Sequence, residues 1–376
     1  MLGIRYSVYR QWGAWAMQNR KQLYSIQILR GLAATAVLIA HTIEHPRAET
    51  NNAITMLGVF GVQLFFVISG FIIAYVNADG PFRPGDFLLR RVFRIVPLYW
   101  LCTITVFFCA LYLPSLFKTT VPDVGYFIKS LFFIPAATPG DPSDWRPLFK
   151  LGWSLNYELF FYLVFALFWW CKNALQRTIL LTGIFGACVI GSFFVEPSTS
   201  IAAFYLHKNL LTFMFGMWLA EAEKHRLWER MPPVALAGIG ILAMAALYGT
   251  FSTPLVAFNN FSTYLVMCSA AVLLVAGALG IERWLGDLRD NFFVDLGATS
   301  YSLYLTHMFV VGFGWAVMRK LNLGPMLEIA GMAAIVIGAI IAAKISYRLI
   351  ELPSNRLGHM LTKRKKPSLK VAQAEA

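Results

Sequence analysis

Two ionisable residues sit inside the first apolar stretch of the chain, Arg30 and His41 in LRGLAATAVLIAH. They are eleven positions apart. At 100° per residue that spacing returns to within about 20° of one helix face and separates the two by roughly 16 Å along the axis. Ionisable groups inside a membrane segment are expensive and by default mark function, and a histidine takes or gives a proton near neutral pH. Arg30 and His41 are therefore expected to line one stripe, with His41 a candidate general base. A plainer reading has Arg30 snorkelling to one interface and His41 hydrogen-bonding at the other.

A second group, Arg90, Arg91 and Arg94 in LLRRVFRIVPLYW, opens the third apolar stretch. Their three- and four-residue spacings make a compact basic fork, and guanidinium forks suit phosphate. Ordinary charge anchoring at a membrane face explains any single one of them. A ligand with a phosphate-rich head and a long thin arm, such as coenzyme A, would fit with its head at these arginines and its acyl end toward His41.

Further candidates lie in GWSLNYELFFYL, where Glu158 is flanked by Trp153, Ser154, Asn156 and Tyr157. Glu158 is expected to orient His41, as a carboxylate does in a triad, or to hydrogen-bond an acceptor, with Trp153, Ser154 and Tyr157 beside it as substrate-binding residues. The bland alternative is an aromatic belt at the interface. In LGATSYSLYLTHMF, Tyr304 and His307 share a helix face and are expected either at the same cavity or in interhelical hydrogen bonds. The ISG of FGVQLFFVISGF, with Ser69 and Gly70, reads as a close helix approach. No HExxH or other metal signature and no GxSxG elbow occurs, so no metal is expected. The five cysteines lack CxxC spacing and read as packing residues.

These residues must be positioned by membrane helices. Of 376 residues 58% are hydrophobic and 14% charged, with a mean hydropathy of +0.61, whereas a soluble domain carries about 25% charged residues. The fold class expected is all-α, a polytopic bundle. About ten spans are predicted, near 25–43, 57–76, 92–113, 154–171, 178–195, 201–220, 232–249, 262–280, 294–317 and 327–348. With the N-terminus inside, most of the 32 basic residues fall on the cytoplasmic side, as the positive-inside rule requires. Both termini are therefore expected to be cytoplasmic. Topology and anionic lipid account for the +13 charge without a nucleic-acid partner. The expected layout is a basic segment over 1–24, a membrane domain over 25–350 and a basic tail over 351–376. The first apolar stretch, with its two ionisable residues, reads as part of the mature chain and not as a cleaved leader. The external connection 114–152 is too long for a turn and reads as a re-entrant segment or lid.

Taken in order, LRGLAATAVLIAH, FGVQLFFVISGF, RRVFRIVPLYW, WSLNYELFFY and SYSLYLTH make the sequence resemble the acyltransferase-3 family of integral membrane acyltransferases. The likeness runs from about Ile26 to Arg356 and is strongest to the short exopolysaccharide O-acetyltransferases of the succinoglycan-production kind. It implies transfer of an acyl group, usually acetyl from cytoplasmic acetyl-CoA, to a hydroxyl of a surface glycan or its lipid-linked precursor in the cell (inner) membrane. It matches the family's Arg–His pattern to Arg30 and His41 and its RxxR pattern to Arg91 and Arg94. Relatives often carry an acid where this chain has Gln63, so no carboxylate role carries over there. A transporter of lipid-linked sugars and a donor such as succinyl-CoA are the alternatives. The sequence leaves the oligomeric state open.

Overall fold

The first apolar stretch is helix α1 (Tyr24–Glu44), and a distant carboxylate fixes where it begins. The backbone N–H groups of Tyr24 and Ser25 donate to Glu282, at 2.9 and 2.8 Å. An anion thereby satisfies two of the orphan donors at the positive end of the helix. In the computed structural model residues 23–362 are described, apart from 46–51, 79–81, 117–119, 142–143, 196–198, 229, 253–259, 289–290 and 323. The basic segment before Leu23, the Lys363–Lys366 run and the expected siting of both termini lie outside the described residues.

Helix α2 (Asn52–Val76) antecedes the long α3 (Pro84–Tyr112), which starts with proline in its first turn and carries Pro97 inside. A short helix, α4 (Val124–Leu131), leads through an irregular connection to α5 (Trp153–Leu167) and α6 (Ala174–Gly191). Then come α7 (Ser200–Tyr205), α8 (Leu210–Lys224), α9 (Pro233–Ser252) and α10 (Phe261–Ile281). The chain continues through α11 (Phe292–Ala298), α12 (Ser300–Leu321) and α13 (Pro325–Ser346), and then a π-turn (Tyr347–Glu351) into α14 (Leu352–Leu361). The polytopic all-helical bundle expected from composition is what forms, with no β-strand among the described residues.

Eight helices among the described residues are long and apolar enough to cross a bilayer. The stretches predicted at 154–171 and 201–220 are helical but shorter. Helices α5 and α8 have 15 residues each, about 22 Å against a hydrocarbon core of roughly 30 Å. The second stretch is broken at 206–209 because Asn209 turns its side chain to Gln63, whose Nε2 donates to Asn209 Oδ1 at 3.0 Å. The stretch at 294–317 breaks at Thr299, whose hydroxyl bonds back to Asp295 and Leu296 carbonyls. Past Ile350 the chain does not run straight into a tail. It forms the π-turn and α14, which docks on α3 through a hydrogen bond from Ser354 to the Phe93 carbonyl.

Helix α2 is the centre of the bundle, 67% of its apolar stretch being buried, whereas α9 and α13 bury only 17% of theirs. Where α2 crosses α8, Gly70 and Gly216 let the backbones touch. A Cβ on Gly70 would lie 2.2 Å from the Phe213 carbonyl oxygen, and one on Gly216 would lie 2.1 Å from that of Val67. The close approach read from ISG is therefore real. Without a hydrophobic drive between helices in lipid, such small-residue contacts supply the dispersion that holds them. Lys344, a charge inside an apolar stretch, is paired with Asp295 at 2.7 Å.

Candidate active site

Between α1, α2, α3, α5 and α12 lies a cavity of about 220 Å³. One end is cationic. Arg30 is held there by two neighbours, donating through Nη2 to Ser300 Oγ (3.1 Å) and through Nη1 to Gln27 Oε1 (3.3 Å). Ser300 reaches it because α11 packs flush on α1, where a Cβ at Gly297 would sit 1.9 Å from the Gln27 carbonyl oxygen. Arg91 and Arg94 reach the same space from α3. Arg91 lies over the rings of Phe87 and Tyr162, each 5.7 Å from its guanidinium carbon, and its buried Nε has no hydrogen-bond partner among the described residues. Arg90 does not share this cavity. It lines a separate polar pocket with Asn77, Arg83, Asp86 and Thr362, which corrects the expectation of a three-arginine fork.

Two carboxylates answer these cations. Glu158, on α5, lines the cavity and accepts hydrogen bonds from Ser69 (3.2 Å) and Tyr162. The structure therefore puts it with the arginines. Among the described residues no hydrogen bond joins it to His41, which corrects the expectation that Glu158 orients that imidazole. Glu351, in the π-turn, was not foreseen as a site residue. Its side chain is 1% exposed, lies 3.6 Å from Arg94 Nη1 and accepts a 2.7 Å hydrogen bond from Ser302. A π-turn inside a helical run often marks function, and here it turns a residue just beyond the apolar stretch back toward the core.

The opposite end of the cavity is closed by α5 and α12. The hydroxyls of Ser154 and Tyr304 are 2.8 Å apart, and Tyr304 donates to the Leu151 carbonyl at 3.1 Å. Beyond Tyr304, and outside the cavity wall, His307 stacks on His41, with centroids 5.3 Å apart and 26° between planes. His307 Nδ1 lies 3.0 Å from the Leu303 carbonyl oxygen. A carbonyl only accepts, so Nδ1 carries the proton and Nε2 is left as a lone-pair acceptor. That Nε2 is buried without a partner among the described residues.

The remaining candidates are packing neighbours of this region. Trp153 meets Phe66 edge-on at 6.0 Å. Tyr157 is enclosed by Trp145, Phe204 and Phe66, and neither Trp153 nor Tyr157 lines the cavity. Gln63 is away from it too. Its amide joins Asn209 and accepts from Tyr264 at 3.0 Å, a neutral network that an amide completes without a charge.

As far as it is described, the 114–152 connection is an ordered cover over the C-terminal half of α3. Tyr99 and Trp100 donate to the Ser130 and Leu131 carbonyls, both at 2.8 Å. Asp144 is bonded by Arg146 (2.8 and 3.0 Å) and by Lys150. Burial opposes its charge, but these partners outweigh burial and hold its carboxyl well below the usual carboxylate range.

A helical membrane bundle with a largely apolar chamber at its core, cationic at one end and with paired imidazoles beyond the other, is the class of protein that fold and site define. A family model described as an acyltransferase domain matches residues 23–344, so the chain belongs to the acyltransferase-3 family and is an acyltransferase. It is similar to the exopolysaccharide production protein ExoZ of Rhizobium meliloti (strain 1021). The two are 33% identical over 320 residues, covering 84% of this chain and 94% of that one. It is also similar to the acyltransferase MdmB of Streptomyces mycarofaciens, at 24% identity over 89% of this chain and 92% of the relative. The peptidoglycan O-acetyltransferase OatA of Listeria monocytogenes matches at 25% identity over 90% of this chain and 57% of its own length. No solved structure matches the chain.

Proposed function

We propose that the protein moves an acetyl group from cytoplasmic acetyl-CoA to a hydroxyl of an exopolysaccharide, or of a related surface glycan or its lipid-linked precursor, in the cell inner membrane. One observation carries this reading. Three guanidinium groups, of Arg30, Arg91 and Arg94, converge on one end of a single cavity whose far end abuts His41 and His307. The likeness to an exopolysaccharide production protein and to a peptidoglycan O-acetyltransferase supports a glycan acceptor.

In this reading Arg91 and Arg94 hold the donor phosphates and Arg30 guides the pantetheine arm. Phosphate is recognised best by planar forks, which α3 presents. The acceptor arrives from the side of His41. A sugar hydroxyl is a weak nucleophile at neutral pH, so His41 removes its proton as the oxygen attacks the thioester carbonyl. The new C–O bond forms, the C–S bond breaks, and the proton on His41 passes to the departing thiolate. Glu158 keeps the arginine end from being purely cationic.

The test compares O-acetyl signals of the polysaccharide by NMR in cells carrying wild type or His41→Ala at equal protein level. Loss of the signals is expected, and unchanged acetylation would remove His41 from the mechanism. Labelled acetyl-CoA should bind the purified protein. A wild type that binds none, and does not change on replacing Arg91 and Arg94, would favour transport of a glycan precursor instead.

A further inference from the structure

Glu351 stands behind Arg94 and not in front of it. Arg94 keeps 26% of its side chain exposed and lines the cavity, whereas the Glu351 side chain is 1% exposed and is not part of the wall. Their 3.6 Å separation is a charge contact without a hydrogen bond, and Glu351 Oε1 has no hydrogen-bond partner among the described residues. The hydrogen-bonding face of Arg94 is left for something in the cavity, while Ser302 holds the carboxylate through its other oxygen at 2.7 Å. The cavity end thus assembles three guanidiniums against two carboxylates, Glu158 in the wall and Glu351 behind it.

We infer that Glu351 is a positioning residue that holds Arg94 toward the cavity and offsets part of its charge, so that an entering phosphate is gripped and then let go. This rests on the reading of the cavity as a donor site. Its reason is a requirement of the reaction: an acyl-CoA donor and the coenzyme A product carry the same phosphates, so a phosphate grip binds both alike. Binding shared by substrate and product does not lower the barrier, and an excessive grip makes product release the slow step. A fixed carboxylate behind the gripping arginine weakens the hold by Coulomb repulsion, without a contact to the ligand.

Glu351→Gln separates charge from position, because glutamine still accepts from Ser302 and keeps the volume. The purified full chain in lipid nanodiscs should bind coenzyme A at least about fivefold more tightly in this variant, with KM for acetyl-CoA and kcat both lowered. A carboxylate with a merely structural role predicts equal or weaker binding, and that result overturns the inference. Ser302→Ala serves as the second variant if Glu351→Gln does not fold. It frees the carboxylate for Arg94 and should weaken coenzyme A binding by roughly twofold or more; unchanged or tighter binding again overturns the inference. Inorganic pyrophosphate is measured in parallel. If wild type binds no coenzyme A, the donor reading fails by itself, and the shift in pyrophosphate affinity alone decides the role of Glu351: tightening upholds it and no tightening overturns it.

Discussion

The imidazole rings of His41 and His307 lie face to face, 5.3 Å apart, although 266 positions separate them in the chain. The Leu303 carbonyl fixes the tautomer of His307, and its Nε2 stays buried and unpartnered among the described residues. An unsatisfied buried acceptor costs about 1–3 kcal/mol. His307→Phe keeps the ring stack and removes that acceptor. It should leave the melting temperature of the purified protein unchanged or higher, yet lower the acylation rate at least about tenfold, the scale of a lost proton-transfer partner. A variant that is fully active with wild-type stability would show that the lone pair has no part in the reaction.

Arg90 tests the partition of the α3 arginines. Because it lines the polar pocket with Asp86 and not the central cavity, Arg90→Ala should change acetyl-CoA binding by less than about threefold, the range of a surface charge. Arg91→Ala should lose binding by about tenfold or more, as expected for a buried charge-assisted contact of about 1.5–3 kcal/mol. Equilibrium binding to the detergent-purified variants distinguishes them. Equal losses at the two positions would restore the three-arginine fork.

Gly216→Val should abolish folded protein. Its first added carbon would lie 2.1 Å from the Val67 carbonyl oxygen and 2.7 Å from the Phe71 nitrogen, all of it backbone that cannot step aside. The cost is expected to exceed the roughly 1–3 kcal/mol of ordinary overpacking. Monodisperse yield on size exclusion in mild detergent measures it, and wild-type yield would contradict the close crossing of α2 and α8.

The cover over α3 should resist acid. The Asp144 carboxyl is depressed in the folded chain by Arg146 and Lys150, against burial. Its stabilising contribution is therefore complete above the ordinary carboxylate pKa of about 3.9 and is lost only as pH falls below that value through the depressed one. Limited proteolysis within 120–150 should be flat from pH 7 to about 4 and rise below it. Asp144→Asn should be cleaved faster at neutral pH and lose the acid-dependent step.

Much of this was legible in the residues. Hydrophobic stretches near twenty residues located every long helix, because a bilayer demands continuous apolar runs whose backbone bonds stay internal. Arg30 and His41 do lie on one helix, but only Arg30 lines the cavity, and His41 stacks on His307 outside it. Other parts depend on contacts between distant segments. A helical wheel shows that Arg90 and Arg91 flank Arg94 but not which flank faces inward; Phe87 and Tyr162 decide that by receiving Arg91. Glu158 was expected beside His41, yet Ser69 and Tyr162 hold it at the cavity with the cations. Glu351 follows the last apolar run and looks like the start of a basic tail. Only the π-turn, which departs from the 3.6-residue period that sequence reading relies on, returns it to the core.

The layer formed by Ser154, Tyr304 and the Leu151 carbonyl has a bearing on the cell as a whole. An enzyme that takes one reactant from each side of an energised membrane is at risk of becoming a pore, through which protons would drain the gradient. Here the chamber stops at a side-chain floor 2.8 Å tight between hydroxyls, and the imidazole pair lies on the far side of it. Ser154 and Tyr304 thus stand between the chamber and the imidazole pair. In the proposed reaction the thioester would have to pass the Tyr304 hydroxyl, so the substrate itself would fill the passage that it opens.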